Sequence, residues 1–173
     1  ELGFTRFGIH LFLGSNNRDA AYFAKTLEIA FKHCAEPFKS LNIIPEYIDI
    51  GGGLGVPYSE ADKMLNVNQM AQNLADVMKN ECERLKWKQI PLYLEPGRFL
   101  VANAGILLSK ITAIKKTYQT FIGLDAGMNH LLRPSLYGAN HTISLLDTNN
   151  NLETVNICGQ ICESTDFFAR QVL

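Results

Sequence analysis

Glu95-Pro96-Gly97-Arg98 puts a carboxylate, a rigid turn and a guanidinium side by side, a set able to grip a charged ligand. Earlier in the chain, "YIDIGGGLGVPY" at 47–58 ends an apolar run in Gly51, Gly52 and Gly53. Glycine admits positive φ and has no Cβ, so consecutive N–H groups can converge on an anion, with phosphate the natural guest. A dinucleotide turn would need GxGxxG leading into a helix, and a P-loop would need GK[ST]; neither pattern is present. Taken alone, the glycines read as a sharp strand-end turn and EPGR as a solvated loop. Two further clusters follow, "DAGMNHLLRPSLYGA" at 125–139 and "GQICESTD" at 159–166, which concentrate Arg, Tyr, Cys and Glu in apolar surroundings read as β. Four such clusters in order are more specific than any one.

Positioning these residues requires alternating elements. "RFGIHLFL" at 6–13 is a β-leaning run closed by Gly14-Ser15-Asn16. From Arg18 to about Leu41, Ala20, Phe23, Ala24, Leu27, Phe31 and Cys34 keep helical spacing, and Pro37 leaves the helix end open. "EYIDI" is a strand. A second helical stripe follows with Val67, Met70, Ala71, Leu74, Val77 and Met78, and "IPLYLEP" at 90–96 is the next strand. This order predicts parallel βα units, and in a (β/α)8 barrel the chemistry lies at the carboxyl ends of the strands, which here read "LGSN", "GGGLG" and "EPGR". Beyond about residue 104, "ILLSKITAIKKT", "TFIGLDAG", "HTISLLDT" and "LETVNICG" read as successive strands, with "DTNNN" at 147–151 a hairpin or loop. The expected fold is thus α/β: residues 1–104 are part of a barrel, and 105–173 part of a β-rich domain.

Composition narrows the partners. With 47% hydrophobic and 19% charged residues, the chain can bury a sizeable core. Its net charge of -1 carries no basic stripe, which argues against nucleic acid and acidic lipid. "ILLSKITAI" is too short to span a bilayer. Cys34, Cys82, Cys158 and Cys162 have neither disulfide-framework nor metal-ligand spacing, so reduced thiols, a cytoplasmic location and no metal are expected. The opening "ELGFTRFG" suggests a fragment that begins inside a fold.

At "GIHLFLGSN", "IDIGGGLG", "EPGRFLVANAG", "DAGMNHLLRPSLYGA" and "CESTD" the chain resembles the alanine-racemase-fold (fold type III) pyridoxal-phosphate decarboxylases, most closely the diaminopimelate branch. The resemblance implies pyridoxal 5'-phosphate as cofactor, its phosphate held by Gly51, Gly52, Gly53 and Ser15. Glu95 is implied at the pyridine nitrogen, and Arg98 near the phosphate or the substrate carboxylate. Arg133 and Tyr137 match substrate-binding positions. Cys162 and Glu163 match a pair that reaches the neighbouring subunit's site, the Cys as proton donor and the Glu at the substrate's distal end; a homodimer with shared sites is implied. Read without the resemblance, Tyr137 is equally a strand-edge aromatic and Cys162 a small buried hydrophobe on a strand.

Three departures qualify the match. Phe12 stands where the family carries an aromatic-stacking His, and a phenyl ring can still lie against the cofactor face without donating a proton. Asn129-His130 replaces the family's usual ND, a change without a physical account. The lysine that joins the cofactor belongs to the first barrel strand, and no lysine here has that context; a late substrate-binding Tyr is missing too. The expectation is a decarboxylase acting on an amino acid, meso-diaminopimelate first, with this chain inactive by itself. The alternatives are a relative acting on another amino acid or a carrier-bound aminoacyl group, and a non-catalytic homologue that binds a protein partner.

Overall fold

The computed structural model describes residues 3–59, 61–146 and 152–173. Two compact units emerge: the first runs to Pro57 and resumes over Lys63–Gly105, and the second takes Tyr58–Asp62 and Ile106–Leu173.

The first unit is built on three short parallel strands, β1 (Ile9–His10), β2 (Ile48–Asp49) and β3 (Leu92–Tyr93), in that order. Their registers align Ile9 with Ile48 and Leu92, and His10 with Asp49 and Tyr93. Helix α1 (Ala20–Ser40) connects β1 to β2, and α2 (Val67–Leu85) connects β2 to β3, giving the expected alternation. Asp19 caps α1 by accepting from the Ala21 N–H at 2.9 Å, which satisfies a donor that the first turn leaves orphaned. The helix runs through Pro37 for one more residue triplet, because Leu41 N–H and the Ser40 hydroxyl both donate to the Pro37 carbonyl. Asn66 caps α2 through the Gln69 N–H, and Lys86 closes it in the left-handed region at φ 57°.

The two helices pack on each other and bury a stripe in one core shared with Ile9, Ile48 and Ile50. In α1 it is Phe23, Thr26, Leu27, Ala30, Phe31 and Ala35, and in α2 it is Met70, Leu74, Met78, Cys82 and Leu85. Leu27 and Ile48, each 0% exposed, and Phe31 form its centre. Thr26 sits in this stripe because its hydroxyl donates to the Tyr22 carbonyl one turn earlier.

The second unit is a sheet of order β4 (Ile111–Lys116), β5 (Thr120–Leu124), β6 (Val155–Cys158) and β7 (Phe167–Val172). β4–β5 and β6–β7 are antiparallel, while β5–β6 is parallel and requires a crossover. That crossover contains the short helix α4 (Arg133–Tyr137), and the first unit ends in another short one, α3 (Arg98–Val101), followed by a 3-10 turn at Ala102–Ala104. The core here is small, centred on Ala126, Ile157 and Phe168.

Several expectations fail in this unit. In "HTISLLDT", residues 141–146 form no strand; the Thr142 hydroxyl donates to the Tyr58 carbonyl, and the His141 ring packs edge-on against Tyr58 at 4.8 Å. "DTNNN" at 147–151 lies outside the described residues. Tyr137 is not a strand-edge residue: Pro134 in the first turn and Gly138 in the left-handed region at φ 60° bracket a helix, α4. Cys162 lies in the turn between β6 and β7, exposed, and is not a buried strand residue. The strand β7 was not anticipated.

Truncating the centre of the first core, Leu27→Ala, is expected to cost about 2–5 kcal/mol in chemical denaturation; an unchanged midpoint would contradict the packing described. In the second unit the Ser109 hydroxyl, then the Lys110 amide, hold the Asp125 carboxyl below its ordinary range. A lowered folded pKa stabilises above the unfolded value and is lost as pH falls through the folded one, so acid should loosen this unit below pH ~4. Asp125→Asn should flatten that part of the acid titration.

Candidate functional site

The parallel ladder does not stop at the strand ends. Past β1, Leu11 N–H donates to Asp49 at 2.9 Å; past β2, Ile50 N–H donates to Tyr93; past β3, Glu95 N–H donates to Gly51 at 2.9 Å. Asn17 N–H then donates to Gly53, and Gly55 N–H to Asn17 at 2.7 Å, so the first turn is laced to the glycine loop. Asn16, at φ 59°, extends the lacing by accepting from the Val56 N–H.

This close approach explains the glycines. Gly51 and Gly53 have φ +72° and +87°, and a Cβ on Gly51 would lie 2.8 Å from the Leu11 carbonyl oxygen. A Cβ on Gly52 would run into the Glu95 carbonyl, and one on Gly53 into the Gly14 carbonyl. The Gly51 N–H is already committed to the Asp49 carboxylate at 2.8 Å. Gly51 thus ties the turn to Asp49, and Gly52 and Gly53 line the cleft beside it.

That cleft, about 260 Å³, is lined by Phe12, Ser15, Gly52, Gly53, Leu54, Glu95, Gly97 and Arg98. Arg98 opens α3 and donates to the Ser15 hydroxyl at 2.9 Å, joining the first and third strand-end turns. Glu95 faces the His10 imidazole, with Nε2 to Oε2 3.3 Å. Phe12 is 54% exposed, its ring edge against Gly51 and Gly53. Six of the candidate site residues named from sequence thus share one cleft, and Gly51 is not among its lining.

His10 and Asp49 were missed. One ligand atom from each of His10, Asp49 and Glu95 falls within 4.8 Å of the others, a grouping of N and O donors that could also take a metal ion. The signal was the strand register, which pairs His10 with Asp49.

In the second unit, the Arg133 guanidinium stands 5.4 Å from the Tyr137 ring centroid, one turn along α4. Its Nε is buried without a hydrogen-bond partner among the described residues. Glu163 accepts from the Ser164 hydroxyl and the Thr165 amide, which hold its carboxyl below the ordinary range, so it is a fixed negative charge beside exposed Cys162. Cys158 differs: burial pushes its thiol up, and it donates to the Ile122 carbonyl.

The donor set suits a phosphorylated pyridine. Ser15, Arg98 and two bare amide positions line the cleft, a set that suits an anion, and the Glu95 carboxylate lines it with them. Parallel βα units with this strand-end cleft, followed by a mixed β sheet, define the fold-type III class of pyridoxal-phosphate proteins. Residues 19–173 match the family model described as pyridoxal-dependent decarboxylase, C-terminal sheet domain, and the chain belongs to that family.

Diaminopimelate decarboxylase of Methanothermobacter thermautotrophicus is 34% identical over 172 residues, covering 98% of this chain and 40% of the relative. That of Aquifex aeolicus is 40% identical over 165 residues, 94% of this chain and 37% of the relative. The crystal structure of the Methanocaldococcus jannaschii diaminopimelate decarboxylase in co-complex with L-lysine superposes with a TM-score of 0.83 at 35% identity, covering 96% of this chain and 38% of that one. A Vibrio vulnificus lysine/ornithine decarboxylase, at 18% identity and a TM-score of 0.76, shares the fold. The chain spans about 40% of the length of the curated relatives it matches.

Gly53→Ala combines a left-handed backbone with a carbonyl collision, and is expected to destabilise the first unit by about 1–3 kcal/mol. Thermal melting checks this, and an unchanged midpoint would mean that the glycine is not required by the close approach.

Proposed function

We propose that these residues belong to a pyridoxal-phosphate-dependent decarboxylase that converts meso-diaminopimelate to L-lysine in lysine biosynthesis. The carrying observation is the single cleft in which Ser15, Arg98, Gly52, Gly53 and Glu95 converge from three strand-end turns. The naming of the relatives, and the lysine complex among the solved structures, supports the substrate.

The cofactor, when bound, supplies an electron sink for the pair left when the substrate's α-carboxylate departs as CO2. The chain's own residues make that sink effective. Arg98 and the Ser15 hydroxyl, with the Gly52 and Gly53 amides, anchor the phosphate and so fix the ring's position. Glu95 keeps a proton on the ring nitrogen by offering it a negative neighbour, and His10 steadies the same carboxylate from the other side. Phe12, on the cleft lining, would offer the ring an apolar wall that moves no proton.

Arg133, whose buried Nε has no hydrogen-bond partner among the described residues, and Tyr137 bind the substrate, and the Glu163 carboxylate meets its distal ammonium. Cys162 delivers the proton that replaces the lost carboxylate. In this reading Cys162 and Glu163 serve the site of a second copy, making the enzyme a homodimer. The lysine that holds the cofactor comes from outside these 173 residues, and the chain alone is inactive. A cytoplasmic enzyme fits this reading; among the described residues no helix is long and apolar enough to cross a membrane.

CO2 release by the full-length protein from a panel of amino acids and carrier-bound aminoacyl groups is the test. Diaminopimelate is expected to give the highest kcat/KM; preference for another member would correct the substrate, and no release from any would overturn the enzyme reading. Glu95→Gln should lower kcat by about 100-fold or more with cofactor retained. Equal losses of cofactor and turnover would remove Glu95 from the ring nitrogen.

A further inference from the structure

Asp166 closes the "CESTD" cluster, yet the reaction described above assigns it nothing. It is 3% exposed, and both of its carboxylate oxygens act as acceptors. Oδ1 receives the Met128 N–H at 2.6 Å, and Oδ2 the Ile161 N–H at 2.8 Å. Its own backbone extends the grip: Gly159 N–H donates to its carbonyl at 2.9 Å, and its N–H donates to the Glu163 carbonyl at 3.1 Å.

The two side-chain bonds differ in kind. The one to Ile161 is local and shapes the turn between β6 and β7, on which Cys162 and Glu163 stand. The one to Met128 reaches 38 residues back, into the segment that leads from β5 to α4 with Arg133 and Tyr137. A single carboxylate therefore joins the two segments that carry the candidate substrate residues of this unit. Hydrogen bonds to a carboxylate are shorter and stronger than those between neutral groups, and a buried one holds its donors in fixed geometry.

Two glycines make room for it. A Cβ on Gly159 would collide with the Asp166 carboxylate. A Cβ on Gly127 would lie 3.1 Å from Oδ2 and 2.8 Å from the Ile161 side chain. "DAGM" and "ICGQ" thus each contribute a bare backbone position to the same carboxylate.

We propose that Asp166 is a positioning residue that sets the Arg133–Tyr137 segment and the Cys162–Glu163 turn in one fixed arrangement. Its catalytic importance rests on the decarboxylase reading; the coupling of the two segments does not. Neither segment can shift without breaking a bond to the same buried group.

The test uses the full-length protein with its cofactor, comparing Asp166→Asn with wild type by amide hydrogen exchange. An amide offers one neutral carbonyl acceptor where the carboxylate offers two charged ones, so one arm breaks and the other loses its charge assistance. Exchange at Met128 and Ile161 is expected to rise together by about tenfold or more, the loss of a charge-assisted hydrogen bond. Over the same temperatures, well below the melting midpoint, kcat/KM should fall by a similar factor with the bound-cofactor absorbance unchanged.

Faster exchange at only one of Met128 and Ile161, or unaltered exchange at both, would overturn the coupling. Wild-type kcat/KM despite joint loosening would overturn the positioning role. Should Asp166→Asn fail to fold, Gly159→Ala, whose Cβ would displace the same carboxylate, gives the same readouts. If the wild type releases no CO2 from any substrate, the decarboxylase reading fails while the exchange experiment still decides the coupling.

Discussion

The first unit depends on how closely three parallel strand ends approach one another. The carbonyls of Leu11, Gly14 and Glu95 occupy the space where Cβ atoms at 51, 52 and 53 would sit, so only glycine lets the ladder continue beyond the strands. Once the backbones are this close, the cleft follows: Ser15 comes within reach of Arg98, and Glu95 within reach of His10. The glycine run is first a condition of packing and then a lining of bare amides. These are successive consequences of one missing atom.

Polar groups in both units work by holding backbone as well as by presenting charge. Asp49 spends one oxygen on the Gly51 N–H and still stands among the donors around Glu95. Asp166 plays the comparable part in the second sheet, where a core of three buried apolar side chains among the described residues would otherwise define two loops weakly. Buried carboxylates satisfied by N–H groups give such loops a single arrangement that small apolar contacts do not enforce.

The helices were legible because their buried faces repeat over about four turns, with Phe23, Leu27 and Phe31 in one and Met70, Leu74 and Met78 in the other. The strands of the first unit were legible in order but overestimated in length, since only two residues of each pair as strand. Strand β7 escaped because Arg170 and Gln171, the latter at φ 49°, break its alternation. Residues 141–146 alternate like a strand, yet their polar contacts go to Tyr58. At the site, Ser15, Glu95 and Arg98 were readable as motif residues. His10 and Asp49 act through register across strands, and Asp166 through a bond 38 residues long, neither of which a linear reading displays.

In the proposed function the first and third strand-end turns hold a phosphate. The most direct test is the affinity of the full-length protein for pyridoxal phosphate and for unphosphorylated pyridoxal, in wild type and in a Ser15→Ala, Arg98→Met double variant. The account predicts that the variant loses about tenfold or more in affinity for pyridoxal phosphate, as removing a charged phosphate contact should, and keeps its affinity for pyridoxal. Equal losses for the two ligands, or none for either, would contradict it.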